Sequence, residues 1–177
     1  AFGAFFNQGQ ICMSTERVLV DEKIADSFIE KLVAKVKTIR AGNPLESDAP
    51  LGVLESLKAA ARIGKLIEDA REKGANLPLG LDIEGAIMQP TIVVDVTKEM
   101  QIYAEESFGP VCTVQRFKTV DDAVELANDS EFGLSAAVFS QDLAQALAVA
   151  KRIESGICHI NGATVHDEAQ MPFGGVK

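Results

Sequence analysis

Apolar positions along the chain recur with two different periods. The run RVLVDEK, Arg17–Lys23, is short, rich in Val and of strand length. It leads into Lys23–Ile39, where Ile24, Phe28, Leu32 and Val36 return at every fourth place and Ile29 and Val33 widen the stripe. That spacing predicts a helix buried on one face. Gly42-Asn43-Pro44 ends it. A second helix is predicted over about Glu55–Lys73, burying Leu57, Ala61, Leu66 and Ile67 and closed by Gly74. A strand-rich stretch follows in NLPLG, AIMQPTIVVDV and VCTVQRF (Val111–Phe117), punctuated by Gly and Pro. From Thr119 the alternation resumes: helix Val120–Asn128, strand SAAVFS, helix Asp142–Ile153, strand Gly156–Asn161. Thr119-Val120-Asp121-Asp122 and Ser140-Gln141-Asp142 each set a capping residue and acids at a helix start.

Strand–helix–strand spacing of this kind requires crossover connections. The expected fold is therefore α/β, with a largely parallel twisted sheet flanked by helices. No internal repeat or low-complexity linker divides residues 1–177, which read as one domain long enough to bury a core. Ligands of open α/β sheets sit beyond the C-terminal ends of strands. That makes the Gly- and Pro-rich segment 162–177, after the last predicted strand, a candidate location for a site.

Composition narrows the partners. The chain carries a net charge of −9 with a pI near 4.7, which argues against nucleic acid or an anionic membrane surface. No apolar run approaches the roughly 20 residues of a membrane helix. The opening AFGAFFNQGQ has no charged leader region and no initiator Met, and PFGGVK ends without a tail, so the sequence is expected to be a piece of a longer protein. Three cysteines, Cys12, Cys112 and Cys158, lack CxxC spacing, which points away from a disulfide framework and toward a cytoplasmic setting. With His159 and His166 as the two histidines and no Cys/His cluster, no metal site is expected.

Three stretches hold candidate chemistry. FFNQGQICMS, Phe5–Ser14, sets Cys12 after amides and a glycine that let backbone lie close to a ligand; taken alone it is compatible with a nucleophile or with a packed cysteine. YAEESFGPV, Tyr103–Val111, joins acids and an aromatic to Gly-Pro ahead of a strand, either to hold sugar hydroxyls or as a solvated turn. MPFGGVK, Met171–Lys177, presents Phe173 on a rigid turn that could line a pocket or fill a core. His159, in an apolar strand, reads as structural, and His166 lies in the candidate loop. Neither GxGxxG nor GxxxxGK[ST] is present, and no serine has a GxSxG context.

Together and in this order, FFNQGQIC, EESFGPV and INGATVHDEAQMPFGGVK resemble the aldehyde dehydrogenase superfamily across essentially the whole chain. The wording of NQGQICMSTER and TVHDEAQMPFGGVK is most similar to the aryl-aldehyde branch, the vanillin, salicylaldehyde and benzaldehyde dehydrogenases. The resemblance implies an NAD- or NADP-dependent oxidation of an aldehyde to the carboxylic acid through a cysteine thiohemiacetal and thioester. Cys12 matches the nucleophile, with its own N–H helping to hold the oxyanion. Glu106 matches the glutamate that accepts from the nicotinamide-ribose hydroxyls, and Phe108 the aromatic that helps position the nicotinamide. Phe6 and Phe173 match aromatic positions of the substrate tunnel, and Asn161 an asparagine that orders the loops around the nucleophile.

The same resemblance sets limits. In the family the general-base glutamate, the oxyanion-hole asparagine and the dinucleotide-binding domain precede this point, and the oligomerisation strand follows it. The chain is thus expected to be the nucleophile-bearing catalytic domain, inactive alone, of a parent that is a homo-dimer or tetramer. Two other readings stay open: a cysteine acyl-transfer, esterase or CoA-acylating relative, and a non-catalytic scaffold or interaction domain.

Overall fold

The computed structural model describes residues 1–177. In chain order the elements are α1 (Phe2–Phe5), a 3₁₀ turn (Phe6–Gly9), β1 (Arg17–Asp21), α2 (Glu22–Val36), α3 (Leu57–Glu72), β2 (Ile83–Glu84) and β3 (Ile87–Met88). They continue with β4 (Thr91–Val94), α4 (Gln101–Ala104), β5 (Val111–Phe117), α5 (Val120–Asn128), β6 (Ser135–Val138), α6 (Leu143–Ala150) and β7 (Ile157–Ile160). The α/β class holds. β1, β5 and β4, in that order, form a parallel sheet, β6 and β7 a separate parallel pair, and β2 and β3 a short antiparallel hairpin.

Both faces of the central sheet are covered, which a parallel sheet requires. Because side chains alternate along a strand, Val93 and Val111 point to one face and join Ile63, Leu66, Ile67 and Ala70 of α3 in one core. Ile92, Val94, Cys112 and Val114 point to the other, against Ala25, Leu32 and Val36 of α2 and Phe5 of α1. Each fully buried Ile or Val side chain contributes about 1.5–3 kcal/mol, so the two helices and the sheet hold one another.

The predicted helices exist, but two buried stripes are turned. In α2 the inward place at the first turn belongs to Ala25, at 0% exposure, while Ile24 is 57% exposed. In α3 the buried set is Ala60, Ile63, Leu66, Ile67 and Ala70, so Ile63 and Ala60 replace the expected Leu57 and Ala61. Leu57 stands at the first position of α3, where it meets the hairpin turn at Gly85 instead of the sheet. NLPLG contributes only the isolated bridge between Asn76 and Val94, and AIMQPTIVVDV is broken at Gln89-Pro90 into β3 and β4. Pro90 cannot donate to a ladder, which is a local reason for that break.

The caps follow the sequence. Thr119 and Asp122 exchange the reciprocal bonds of a capping box at α5, and Asp142 accepts from Ala144 and Gln145 N–H at α6. Ser140, expected as a cap there, accepts instead from Asp142 N–H. Gly74, at φ +98°, closes α3 in the left-handed conformation glycine allows. No helix is long and apolar enough to cross a membrane.

Candidate active site

Adjacent parallel strands begin at the same edge of their sheet, and this brings the first two motifs together. The register pairs Arg17 with Thr113. Cys12 and Phe108 each stand five residues ahead of one member of that pair. The candidate chemistry therefore gathers where β1 and β5 start, not beyond their C-terminal ends as the general rule for open sheets suggested. Segment 162–177, which follows β7, reaches the same neighbourhood by a different route: Thr164 Oγ1 and Thr15 Oγ1 lie 2.7 Å apart in a hydrogen bond.

The loop that carries Cys12 is tightly shaped. Asn7, Gln8 and Gly9 all have positive φ, at 51°, 58° and 68°. Two consecutive non-glycine residues in this region are costly and persist only where surrounding contacts hold them. Those contacts are present. Asn7 Nδ2 donates to Gln10 C=O at 3.2 Å, and Gln10 Oε1 accepts from Glu55 N–H at 2.8 Å. Ser14 N–H closes a turn onto Ile11 C=O at 2.8 Å, and Thr15 N–H reaches Gly3 C=O at 2.9 Å. The amides of NQGQ thus brace the loop, and Cys12 is left exposed at its end.

Across from it, Gly9 packs so closely on Gly109 that a Cβ would sit 2.6 Å from the Gly109 carbonyl carbon. Gly109 belongs to the Glu106–Pro110 segment. Glu106 is exposed, and Phe108 has φ 50° with its ring partly exposed. A carboxylate with free lone pairs can accept from ribose hydroxyls, and an accessible ring nearby can lie against a flat heterocycle. The segment is held by two residues that sequence reading passed over. Glu16 accepts from Ser107 N–H at 2.7 Å and from Phe108 N–H at 2.8 Å. Arg62 donates to Glu106 C=O at 3.0 Å and to Ser107 C=O at 2.5 Å. Withdrawal of the Glu16 carboxylate from solvent pushes its pKa above the ordinary glutamate value, against the two N–H bonds that favour its charge. The Ser107 hydroxyl is buried without a hydrogen bond of good geometry, although it lies near enough to Glu16 to favour the charged form.

The remaining candidates divide. Phe6 stacks obliquely on Phe2, ring centroids 5.1 Å apart, and Phe2 faces His166 at 6.1 Å. His166 faces His159 edge-on at 6.4 Å, and His159 Nε2 is buried without a partner. Phe173 is exposed on the segment whose Val176 N–H and Lys177 ammonium anchor it near Gly133 and Asn128. Its ring makes no aromatic contact with the Phe2–Phe6 pair. The Asn161 amide is engaged with Ser140, accepting from its N–H and donating to its C=O, both at 3.0 Å. It ties together the ends of β6 and β7; the tie between that region and the Cys12 loop is made by Thr164 and Thr15.

Thiol environments separate the three cysteines. Cys112 is buried and its pKa is pushed up to about 12 by desolvation, and half-burial raises Cys158 as well. Iodoacetamide at neutral pH is expected to alkylate Cys12 first and Cys158 more slowly, leaving Cys112 unmodified until the protein unfolds. Peptide mapping over time checks this; labelling of Cys112 at the rate of Cys12 would contradict it.

The whole chain, residues 1–177, matches the Aldehyde dehydrogenase family. It is 60% identical over 177 residues to a vanillin dehydrogenase of Pseudomonas fluorescens, covering 100% of this chain and 37% of that protein. A salicylaldehyde dehydrogenase of Pseudomonas putida G7, solved with salicylaldehyde, superposes with a TM-score of 0.95 at 47% identity, over 99% of this chain and 37% of that one. A glyceraldehyde-3-phosphate dehydrogenase of Methanocaldococcus jannaschii, solved with NADP, superposes with a TM-score of 0.93 at 37% identity, over 99% of this chain and 38% of that one. The chain thus spans little more than a third of the length of these relatives.

Proposed function

Because the chain belongs to the aldehyde dehydrogenase family, we propose that it is the nucleophile-bearing catalytic domain of an NAD- or NADP-dependent dehydrogenase that oxidises an aromatic aldehyde to its carboxylic acid. The observation that carries this reading is the meeting of two loops at one sheet edge. An exposed Cys12 stands on a braced turn, and that turn packs through Gly9 onto the segment presenting Glu106 and Phe108. The names of similar proteins support the aryl substrate class, and the neighbour solved with NADP supports a nicotinamide cofactor.

In this reading the Cys12 thiolate adds to the aldehyde carbon, and the carbonyl oxygen becomes an alkoxide held in part by the N–H of Cys12 itself. A bound nicotinamide supplies the hydride acceptor. Loss of hydride from the carbon leaves an acyl group on Cys12 Sγ, and water releases it as the acid and returns the thiol. Glu106 accepts hydrogen bonds from the nicotinamide-ribose hydroxyls and Phe108 limits where the ring can lie. Phe6 and Phe173, both about half exposed, offer ring faces to an aryl substrate. Asn161, through its amide on Ser140, orders the ends of β6 and β7 and with them the loops around the nucleophile. The general base and most of the dinucleotide contacts belong to other parts of the parent protein.

The test uses the full-length gene product with NAD or NADP and a series of benzaldehydes. The expected result is one reduced nicotinamide and one carboxylate per aldehyde consumed, and no reduced nicotinamide above background from residues 1–177 alone. CoA-dependent thioester release, or ester hydrolysis without aldehyde oxidation, would favour the acyl-transfer reading. No turnover of any of these by the full-length protein, with Cys12 still alkylatable, would favour a scaffold.

A further inference from the structure

We propose that Glu16 and Arg62 are positioning residues for the Glu106–Phe108 segment, gripping its consecutive peptide groups from opposite polarities and so fixing where the Glu106 carboxylate and the Phe108 ring stand. The inference rests on the reading of those two side chains as nicotinamide-ribose and nicotinamide contacts.

Between the end of α4 at Ala104 and the start of β5 at Val111, Glu105 N–H still bonds back to Gln101 C=O and Pro110 C=O accepts from Thr91 N–H, but residues 106–108 take no backbone partner. Part-buried peptide groups in that position need other partners. Two side chains supply them. The Glu16 oxygens take the N–H groups of Ser107 and Phe108, one each, and the Arg62 fork gives one N–H each to the carbonyls of Glu106 and Ser107. Four backbone groups on three successive residues are thereby fixed, across a point where Phe108 takes a positive φ of 50°.

The chemistry is specific to these side chains. A carboxylate offers two acceptor oxygens, whereas a glutamine offers one and would turn an NH₂ against the other N–H. A guanidinium presents a planar pair of donors matched to two neighbouring carbonyls, and an ammonium does not. Glu16 also belongs to the Cys12 segment, and its own C=O accepts from Thr113 N–H at 2.8 Å and Thr113 Oγ1 at 3.0 Å. The residue that holds the Glu106–Phe108 segment is therefore locked to β5 in the same place. The Glu106 side chain is exposed and makes no hydrogen bond, and the Phe108 ring is partly exposed, so the backbone clamp sets where both stand.

The experiment compares Glu16→Gln, Arg62→Lys and the reference Glu106→Gln in the full-length protein. In the cofactor-free state, amide hydrogen exchange at Ser107 and Phe108 is expected to speed up by about tenfold or more in Glu16→Gln, because each N–H loses or weakens a charge-assisted bond. Fluorescence titration should show nicotinamide dinucleotide binding weakened about five- to tenfold in Glu16→Gln and Arg62→Lys, with KM for the aldehyde and the Cys12 alkylation rate within about twofold. Arg62 is exposed, so Arg62→Lys carries the test if Glu16→Gln fails to fold. Unchanged exchange and unchanged dinucleotide affinity would overturn the proposal. So would a parallel loss of dinucleotide affinity, aldehyde KM and melting temperature, which marks a general structural role. If Glu106→Gln weakens dinucleotide binding and the other two variants do not, the clamp alone fails. If Glu106→Gln leaves that affinity unchanged, the reading of Glu106 fails and the clamp falls with it.

Discussion

Replacing Cys12 by serine in the full-length protein is expected to lower kcat/KM for aldehyde oxidation by about 10³-fold or more while leaving the melting temperature within about 1 °C. The two halves of that statement have different origins. The thiolate is the reacting form of cysteine and a far stronger nucleophile than a serine hydroxyl, which ionises at much higher pH, and a general base elsewhere in the parent does not close that gap. Neither Asn7 nor Gln10 is a base, and both are occupied in bracing the loop. The fold is spared because Cys12 is exposed and appears in neither buried core. Steady-state rates with thermal melts on the same preparation check both halves. A variant that keeps more than about a tenth of the activity would remove Cys12 as the nucleophile, and a large fall in melting temperature would make it a packing residue.

Gly9→Ala should be nearly as damaging, although residue 9 touches no substrate in any reading. At φ +68° an alanine meets the left-handed penalty of about 1–2 kcal/mol. Its Cβ would also enter the space of the Gly109 carbonyl, and it would lie 3.2 Å from Ala4 C=O. These neighbours are backbone and cannot rotate aside. The Cys12 loop must then withdraw from the Glu106–Phe108 segment, and a displacement near 1 Å in a reacting pair costs about 10²-fold. The expected outcome is a comparable loss in kcat/KM with a lowered melting temperature. Gly80→Ala is the control, because Gly80 has φ +72° with open space around its Cβ position. It should show the conformational penalty in stability alone, with activity retained. Activity within twofold for Gly9→Ala would mean the two loops can separate freely and that their contact does not position the chemistry.

Much of this molecule was legible in local pattern. The capping box at Thr119, the stop at Gly74 and the α/β alternation all depend on residues within a few places of one another, and the structure keeps them. The misplaced stripe of α3 had a non-local cause. Leu57, Ala60, Ile63, Ile67 and Ala70 follow helical spacing, but only the sheet's extent decides that Leu57 lies beyond its edge. The division of the expected sheet into β1-β5-β4 and β6-β7 is of the same kind. Alternation of strand and helix implies crossovers without saying which strands become neighbours.

The candidate site divides along the same line. Cys12, Glu106 and Phe108 stood out because each sits in a short motif with its own chemistry. Glu16 and Arg62 did not, since a Glu-Arg pair ahead of a Val-rich strand and an arginine on a helix are ordinary features of a solvated surface. The one local hint was the charge of Glu16 directly preceding an apolar strand.

By itself, the sequence determined the main helices and strands, the identity of the candidate side chains and the order of the motifs, because helix and strand periods and residue chemistry are properties of neighbouring residues. Only the tertiary structure decided that Arg17 pairs with Thr113, and hence that the loops ahead of them meet. It alone brought the Glu16 carboxylate to backbone N–H groups 91 and 92 residues away. Such partners are chosen by strand register and by the need to satisfy part-buried peptide groups, and that choice is made only when distant segments pack.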